Sequence, residues 1–439
     1  MTPGTEHAAP RTPSPQVTLS QEYASGIGNS PWPLVERVAE QRGPKTAWAA
    51  HSVLLDIPSL NALALRSLVS LYDRKEKLFC QGLRIVKQGF RQEKTSRKRT
   101  IIALLGLHRF ADSGETPPFD LASIEDSVLT DTSWVRSAGD LGLLTWYTAE
   151  FVPDGLTALF SQFDYERSLE TYPDGREART VGLAWFLAGI SQAQLARVRG
   201  LPDLTDAAVD AYHLLVENQG NGGVFGQAAR RGPLQRTVCN RFGSFSDQMF
   251  AIYALATFSK AFQVEEPLMP ALSCAYSMRA LQGEMGEWWF LYDKRTGRVA
   301  NRYPVFSWHQ DGLAPVGLFA LGEATGQCFH EAIHKGLSWI SGANQLGNDL
   351  RNVDRGVIWD SIQTTRRTPN YWEAAVNLLN TRPKPNKARL RIQYQVRPDH
   401  FGWLLYAFGR MGLPKADLGV KAHDRGPRLG TQRDAPGED

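Results

Sequence analysis

The sequence predicts an all-α fold, an (α/α)6 toroid of six helical hairpins, and three observations carry that expectation. Glutamines recur at Gln219, Gln282 and Gln345, 63 residues apart both times, in "VENQGNGGVFG", "RALQGEMGEWW" and "SGANQLGNDL". Each follows an amphipathic helical stretch ("AAVDAYHLL", "ALSCAYSMR", "EAIHKGLSWI") and opens Gly-rich turn chemistry. A second series of Ala/Leu-rich helices runs out of phase with these and is apolar on nearly every face, the mark of buried helices. Strand signals are scarce.

Taken in chain order, residues 1–20 are Pro-rich and expected to be disordered, and residues 21–413 form one domain. The buried helices begin at "RTIIALLGLHRF", "GDLGLLTWYTAEF", "RTVGLAWFLAGI", "SDQMFAIYALATF", "QDGLAPVGLFALG" and "DHFGWLLYAFGRM", with Thr100, Asp140, Thr180, Asp247, Asp311 and His400 in their first turns. The first three of these residues are spaced 40 and 40 apart, and Asp247 and Asp311 are 64 apart. Six buried helices alternating with amphipathic ones describe six hairpins. An open α-solenoid shares that period, but six repeats with unequal connections favour a closed ring. Two segments depart from the helical pattern. "RVANRYPVFSW" suits a β-hairpin arm and "ARLRIQYQVRP" alternates like a strand, so both are expected as short excursions on loops. Residues 414–439 are Gly-, Pro- and charge-rich and expected to be a second disordered tail.

Composition narrows the function classes. Apolar and charged fractions of 42% and 21% fit a globular protein, and a net charge of +4 gives no nucleic-acid footprint. Cys80, Cys239, Cys274 and Cys328 form no CxxC pair, which argues against a disulfide framework or structural zinc and suits a reducing compartment. No apolar stretch reaches the roughly 20 residues of a membrane span, and no secretory signal is visible. The expectation is a cytoplasmic protein with no membrane insertion and no cofactor; oligomeric state is left open.

The helix starts matter because, in a ring, all inner helices run in one sense and their N-termini share a face. Asp and Thr there act as caps for free N–H groups. The same geometry aims side chains into one cavity, so Asp140, Asp247, Asp311 and His400 are expected around a common pocket, with Asp311 and Asp247 as an acid/base pair and His309 assisting. The link before Asp311, "GEWWFLYDKRTGRVANRYPVFSWHQDG", must cross that face. Its aromatics offer flat apolar platforms with polar edges, which suit sugar rings and prenyl chains alike. Trp288, Trp289, Tyr292, Asp293, Trp308 and Gln310 are therefore expected to bind substrate, with a packed lid as the plain alternative for Trp288 and Trp289. Glu284, Glu287 and Asp293 are candidate second carboxylates.

Other motifs carry bland readings. "DRKEK" and "RQEKTSRKR" read as a solvated basic face of an N-terminal helical region. Loop arginines and lysines in "QAARRGPLQR" and "KRTGR" would favour an anionic ligand if they line the cavity. His330-Glu331-Ala332-Ile333-His334 satisfies the HExxH string of zinc proteases, but it lies on an outer-series helix with no third ligand in view, so an exposed histidine pair is expected and no metal.

The hairpin period with "QGEMGEW" and "QGNGGVFG" resembles two α/α-toroid superfamilies over about Thr100 to Leu413. One is the six-hairpin glycosidase type, which includes hydrolases, polysaccharide lyases and sugar epimerases. The other is the terpenoid cyclase and protein prenyltransferase type, whose repeats carry a Gln-Trp motif. The second implies an Asp-x-Asp-Asp acid, a DDxxD magnesium motif or a zinc set of Asp, Cys and His. The chain has neither acidic motif; its nearest approach is "DLTD" at Asp203–Asp206, and Gln248-Met249-Phe250 follows Asp247 where the zinc cysteine belongs. Elimination leaves a carbohydrate-active toroid acting on an oligo- or polysaccharide. A degenerate prenyl-type toroid and a non-catalytic glycan-binding scaffold of polysaccharide assembly stand as alternatives.

Overall fold

The computed structural model describes residues 56–86, 89–228, 240–365 and 389–414. The expected tail 1–20, all but the first residue of the tail 414–439, Cys239 and most of "QAARRGPLQR" lie outside the described residues.

Among the described residues, twelve helices of seven or more residues alternate between an outer and an inner ring, with two four-residue helices, Ser168–Thr171 and Pro173–Arg176, in one link. The outer ones are α1 (Ile57–Leu71), α3 (Leu121–Leu129), α5 (Leu156–Gln162), α7 (Thr205–Val216), α9 (Leu268–Leu281) and α11 (His330–Ile340). The inner ones are α2 (Arg97–Ala111), α4 (Ala138–Phe151), α6 (Thr180–Ala196), α8 (Phe245–Phe262), α10 (Ala314–Thr325) and α12 (Pro398–Phe408). Each inner helix packs on the next and α12 returns to α2, so the ring is closed rather than an open solenoid. Each outer helix packs on the inner helix before it, and α1 covers α12. The first described helix thereby completes the last hairpin.

Close backbone approach sets the ring. A Cβ on Gly142 of α4 would lie 2.3 Å from the Phe186 Cα of α6, and one on Gly106 of α2 would lie 2.3 Å from the Gly402 carbonyl oxygen of α12. Only a residue without a side chain fits at such contacts. Gly139 likewise faces Gly182. The pairs 139 with 182 and 142 with 186 advance together, so neighbouring inner helices run in the same sense, and their N-termini open on one face.

The recurring glutamines are structural ties. Gln219 donates to the carbonyls of Gly223 (2.8 Å) and Pro270 (2.9 Å), and Gln282 makes the matching bonds to Gly286 (2.8 Å) and Ala332 (2.9 Å). Each pins its turn to the next outer helix. Gln345 breaks the pattern: it accepts from the Trp339 indole (3.1 Å) and donates to Glu287 (2.8 Å). A second pair repeats alongside. Gln248 accepts from the Phe225 amide (2.7 Å) and Gln310 from the Trp288 amide (3.1 Å).

Strand content exceeds the expected excursions but stays in the links. Three small three-stranded sheets form, joining Phe242–Ser244, Leu291–Asp293 and Arg298–Asn301; Val305–Phe306, Ser361–Thr364 and Leu390–Gln393; and Leu83–Val86, Gly89–Gln92 and Gln395–Val396. "RVANRYPVFSW" thus contributes to two sheets, and so does "ARLRIQYQVRP". The basic N-terminal segment is not helical as expected: Asp73–Lys77 spans the turn of a hairpin pairing Tyr72–Asp73 with Leu78–Phe79, and α2 starts only at Arg97. The Asp73 carboxylate accepts from the Lys75 and Glu76 amides and fixes that turn.

Candidate active site

A cavity of about 270 Å³ opens at the N-terminal ends of α4, α6 and α8. Asp140 and Asp247 line it, together with Lys98, Ser137, Asp174, Arg179, Trp185, Gln227 and Ser244. Each acidic group arrives by helix-cap chemistry. Ser137 caps α4 by accepting from the Asp140 amide (2.9 Å), and Asp174 accepts from the Ala138 (2.8 Å) and Gly139 (2.9 Å) amides of the same first turn. Asp140 is nearly buried, forms an ion pair with Lys98 and accepts from the Arg136 amide at 3.2 Å. Ser244 and Asp247 form a capping box on α8, in which Asp247 accepts from both the Ser244 amide and its hydroxyl at 2.7 Å. Burial pushes the Asp247 carboxyl up to about 6, against the opposing pull of its Ser244 hydrogen bonds and of Arg179. Of the pocket's three acidic groups, Asp247 is thus poised near neutrality, Asp140 is in an ion pair and Asp174 is taken up by the first-turn amides of α4. Half-buried Trp185 supplies an aromatic wall; its indole nitrogen has no partner and the Lys98 ammonium stands 6.0 Å from its ring centre.

Asp311 and His400 do not line that cavity. They meet at the starts of α10 and α12, fully buried, with His400 Nε2 at 2.8 and 2.9 Å from the two carboxylate oxygens. Asp311 sits in a single wide turn, His309–Leu313, whose backbone closes from the Ala314 amide to the His309 carbonyl. Burial raises the Asp311 carboxyl, and His400 partly offsets this. His309 is held neutral: burial first, then Arg397 and His400, lower it well below the usual histidine range. Its ring is enclosed by Phe245, Phe306 and Trp308, with centroids 4.7, 5.1 and 4.5 Å away. Arg397 pairs with Asp360 at 3.1 Å and lies over the Trp308 ring at 5.2 Å. His309 Nδ1, Trp308 Nε1 and Arg397 Nη2 are buried without partners. Phe245, which touches His309, lies two residues before Asp247 on α8.

The aromatic link divides. Trp288 and Tyr292 are fully buried and Trp289 nearly so. Trp288 packs on Phe245 and hangs by its amide from Gln310, so Gln310 serves the backbone. Asp293 is buried at the end of its strand, paired with Arg241 and accepting from Thr296 Oγ1 (2.6 Å) and the Arg295 amide (3.1 Å). Burial works to raise its carboxyl, but these hydrogen bonds together win and hold it low. Glu287 is buried as well, accepting from Gln345 and from the Met285 amide (2.9 Å). Of the link's three tryptophans, Trp308 alone is half-buried. His330 and His334 are exposed on outer helix α11, and among the described residues no group of three His, Cys, Asp or Glu side chains could hold a metal.

Sequence reasoning missed Lys98, Asp174, Arg179 and Trp185. Lys98 stands in the basic run, and Asp174 in a short turn with no periodic signal. Trp185 was available as the tryptophan five residues into the helix that starts at Thr180.

Neither a family model nor a curated protein sequence matches the chain. Solved structures do match in shape. A sugar epimerase from a ruminal bacterium superposes with a TM-score of 0.53 at 9% identity, over 82% of this chain and 100% of that one. A possible member of the GH105 family from Salmonella enterica gives 0.51 at 11% identity over 84% and 96%. Cellobiose 2-epimerase from Bacillus thermoamylovorans gives 0.50 at 13% identity over 79% and 95%. The chain has the fold of the six-hairpin glycosidase-like α/α toroids.

Proposed function

We propose that the protein is a carbohydrate-active enzyme whose site lies on the N-terminal face of the inner ring. The observation that carries this reading is Asp247: a nearly buried carboxyl, raised to about 6, in the same pocket as Asp140, which is ion-paired to Lys98. Two carboxyl groups whose surroundings differ in this way divide the work of acid and base. Asp247 would give its proton to a glycosidic oxygen as the C–O bond breaks, while Asp140 receives the proton of the incoming water. Trp185 offers the sugar a ring face, and Arg179 and Gln227 bind its oxygens. Asp311, with His400 and His309, lies outside this pocket and has no part in that step. The fold shared with a sugar epimerase and a possible GH105 member supports the substrate class.

One observation favours a second reaction type. His309 is buried and neutral, with an open ring nitrogen, beside the Asp311–His400 pair. A neutral imidazole of this kind can take a proton from a carbon beside a sugar carbonyl, and with the Asp311–His400 pair as the acid that gives a proton to the other face, epimerisation is the alternative chemistry.

A thermal-shift screen tests the ligand class. The panel holds neutral oligosaccharides, uronate oligosaccharides, nucleotide sugars and polyprenyl diphosphates. A ligand at about 100 times its Kd adds ~2.7 kcal/mol, which moves the midpoint by a few degrees. The reading expects a sugar to shift wild type and the shift to disappear in Trp185→Ala and Asp140→Asn. A response confined to the diphosphates would move the protein to the prenyl type. A sugar shift that is accompanied by no turnover would favour the glycan-binding scaffold.

A further inference from the structure

A second cavity, larger than the first, is at the opposite end of the ring. It measures about 430 Å³, within the range of small-molecule sites, and opens among the C-terminal halves of α2, α6, α8, α10 and α12. It shares no lining residue with the Asp140–Asp247 pocket. An aromatic plug separates them. Phe250, at 3% exposure, packs on Trp185 of the first pocket and on Trp403, while Trp146, at 0%, stacks at 4.4 Å on Tyr253 of the second cavity.

The walls of this cavity are ordered by one hydrogen-bond chain. Gln192 donates to the Tyr253 hydroxyl (2.9 Å), which meets the Tyr406 hydroxyl (2.9 Å), which donates to Glu150 (2.8 Å). Arg109 also reaches the Tyr406 hydroxyl at 3.2 Å and pairs with Glu150. Val316, Phe319 and Ala320 of α10 form the apolar side. Among the lining residues are three cations, Arg109, Lys260 and Arg410, against one carboxylate, Glu323. Arg109 is locked by its buried partner. Lys260 and Arg410 are different: their ion pairs with Glu323 and Asp112 are on the surface, with Lys260 53% and Arg410 62% exposed. Such pairs contribute almost nothing to stability, so both cations can turn to an incoming anion at little cost.

We infer that this cavity is a second ligand site, separate from the proposed active site, for a small polyhydroxy anion such as a sugar acid or sugar phosphate. The tyrosine, glutamine and threonine side chains would meet hydroxyls, the α10 patch a ring face, and Lys260 with Arg410 the anionic group. The inference does not depend on which reaction the other face performs.

Isothermal titration with three probes tests it: glucose 6-phosphate, glucuronate and glucose. At least one anion should bind and glucose should bind at least tenfold more weakly; which anion binds separates phosphate from carboxylate recognition. The double variant Lys260→Ala/Arg410→Ala, whose exposed positions leave the fold intact by melting temperature, should lose at least tenfold in affinity for that anion. Asp247→Asn should keep it. Absence of binding by both anions overturns the inference. So does equal binding of glucose, affinity that survives the double variant, or affinity that is lost in Asp247→Asn.

Discussion

His400 Nε2 lies 2.8 and 2.9 Å from the two carboxylate oxygens of Asp311, across 89 residues of sequence and with neither side chain open to solvent. The contact joins the starts of α10 and α12, the last two staves of the ring. Removing one partner of a buried pair leaves the other without compensation, at a cost of about 3–5 kcal/mol. Asp311→Ala and His400→Ala should each lower the urea-unfolding free energy by that amount. The double variant should cost clearly less than the sum, because the second change removes an already orphaned group. Simple additivity would show that the two residues act separately.

Asp247 makes the pH dependence of stability specific. Its carboxyl is raised to about 6 in the folded chain, against an unfolded value of about 3.9. The folded state holds this proton more tightly, so the associated stability is fully present below about pH 3.9 and is lost as pH rises to about 6. The loss totals about 3 kcal/mol at most. Asn at this position stays neutral. Asp247→Asn should therefore match wild type near pH 4 and exceed it by about 2–3 kcal/mol above pH 6.5, measured by denaturation at a series of pH values. A difference that does not change with pH would mean the carboxyl is not raised.

Gly142 tests the ring packing. Alanine favours a helix over glycine by about 1 kcal/mol, so a helix with room would gain from Gly142→Ala. Here the new Cβ would meet the α6 backbone at 2.3 Å. Overpacking of that kind costs about 1–3 kcal/mol or more, and the net change should be a loss of melting temperature. A neutral or stabilising result would contradict the close α4–α6 contact.

The ring was legible because periodic features carry it. Gln219 and Gln282 repeat since each makes the same two carbonyl bonds, and a bond that recurs forces a residue that recurs. Asp140 and Asp247 were legible as helix starts for the same reason: a cap position has its own chemistry. Asp311 and His400 were legible as first-turn residues but not as partners of each other, since nothing in either segment encodes the pairing. The aromatic link was legible only in part. Trp288 read equally as a ligand platform or a packed lid and Tyr292 as a platform; Gln310 and strand pairing tie the link down, and both rings are fully buried. Lys98 read as part of a solvated face because composition does not show that one lysine of the run reaches back to Asp140. The cavity at the C-terminal end had no sequence signal at all, since Gln192, Tyr253 and Tyr406 come from three helices with no common motif.

The central claim is that Asp247 and Asp140 act on a sugar. The most direct test follows wild type, Asp247→Asn and Asp140→Asn by ¹H NMR on a panel of neutral and uronate oligosaccharides. NMR distinguishes a released reducing end from an inverted carbon. The account predicts turnover by wild type and a loss of at least 100-fold in both variants, consistent with the usual worth of general acid–base groups. It also predicts that wild-type activity falls as pH rises past about 6, where Asp247 gives up its proton. Turnover that persists in both variants would place the chemistry elsewhere on the ring and contradict the account.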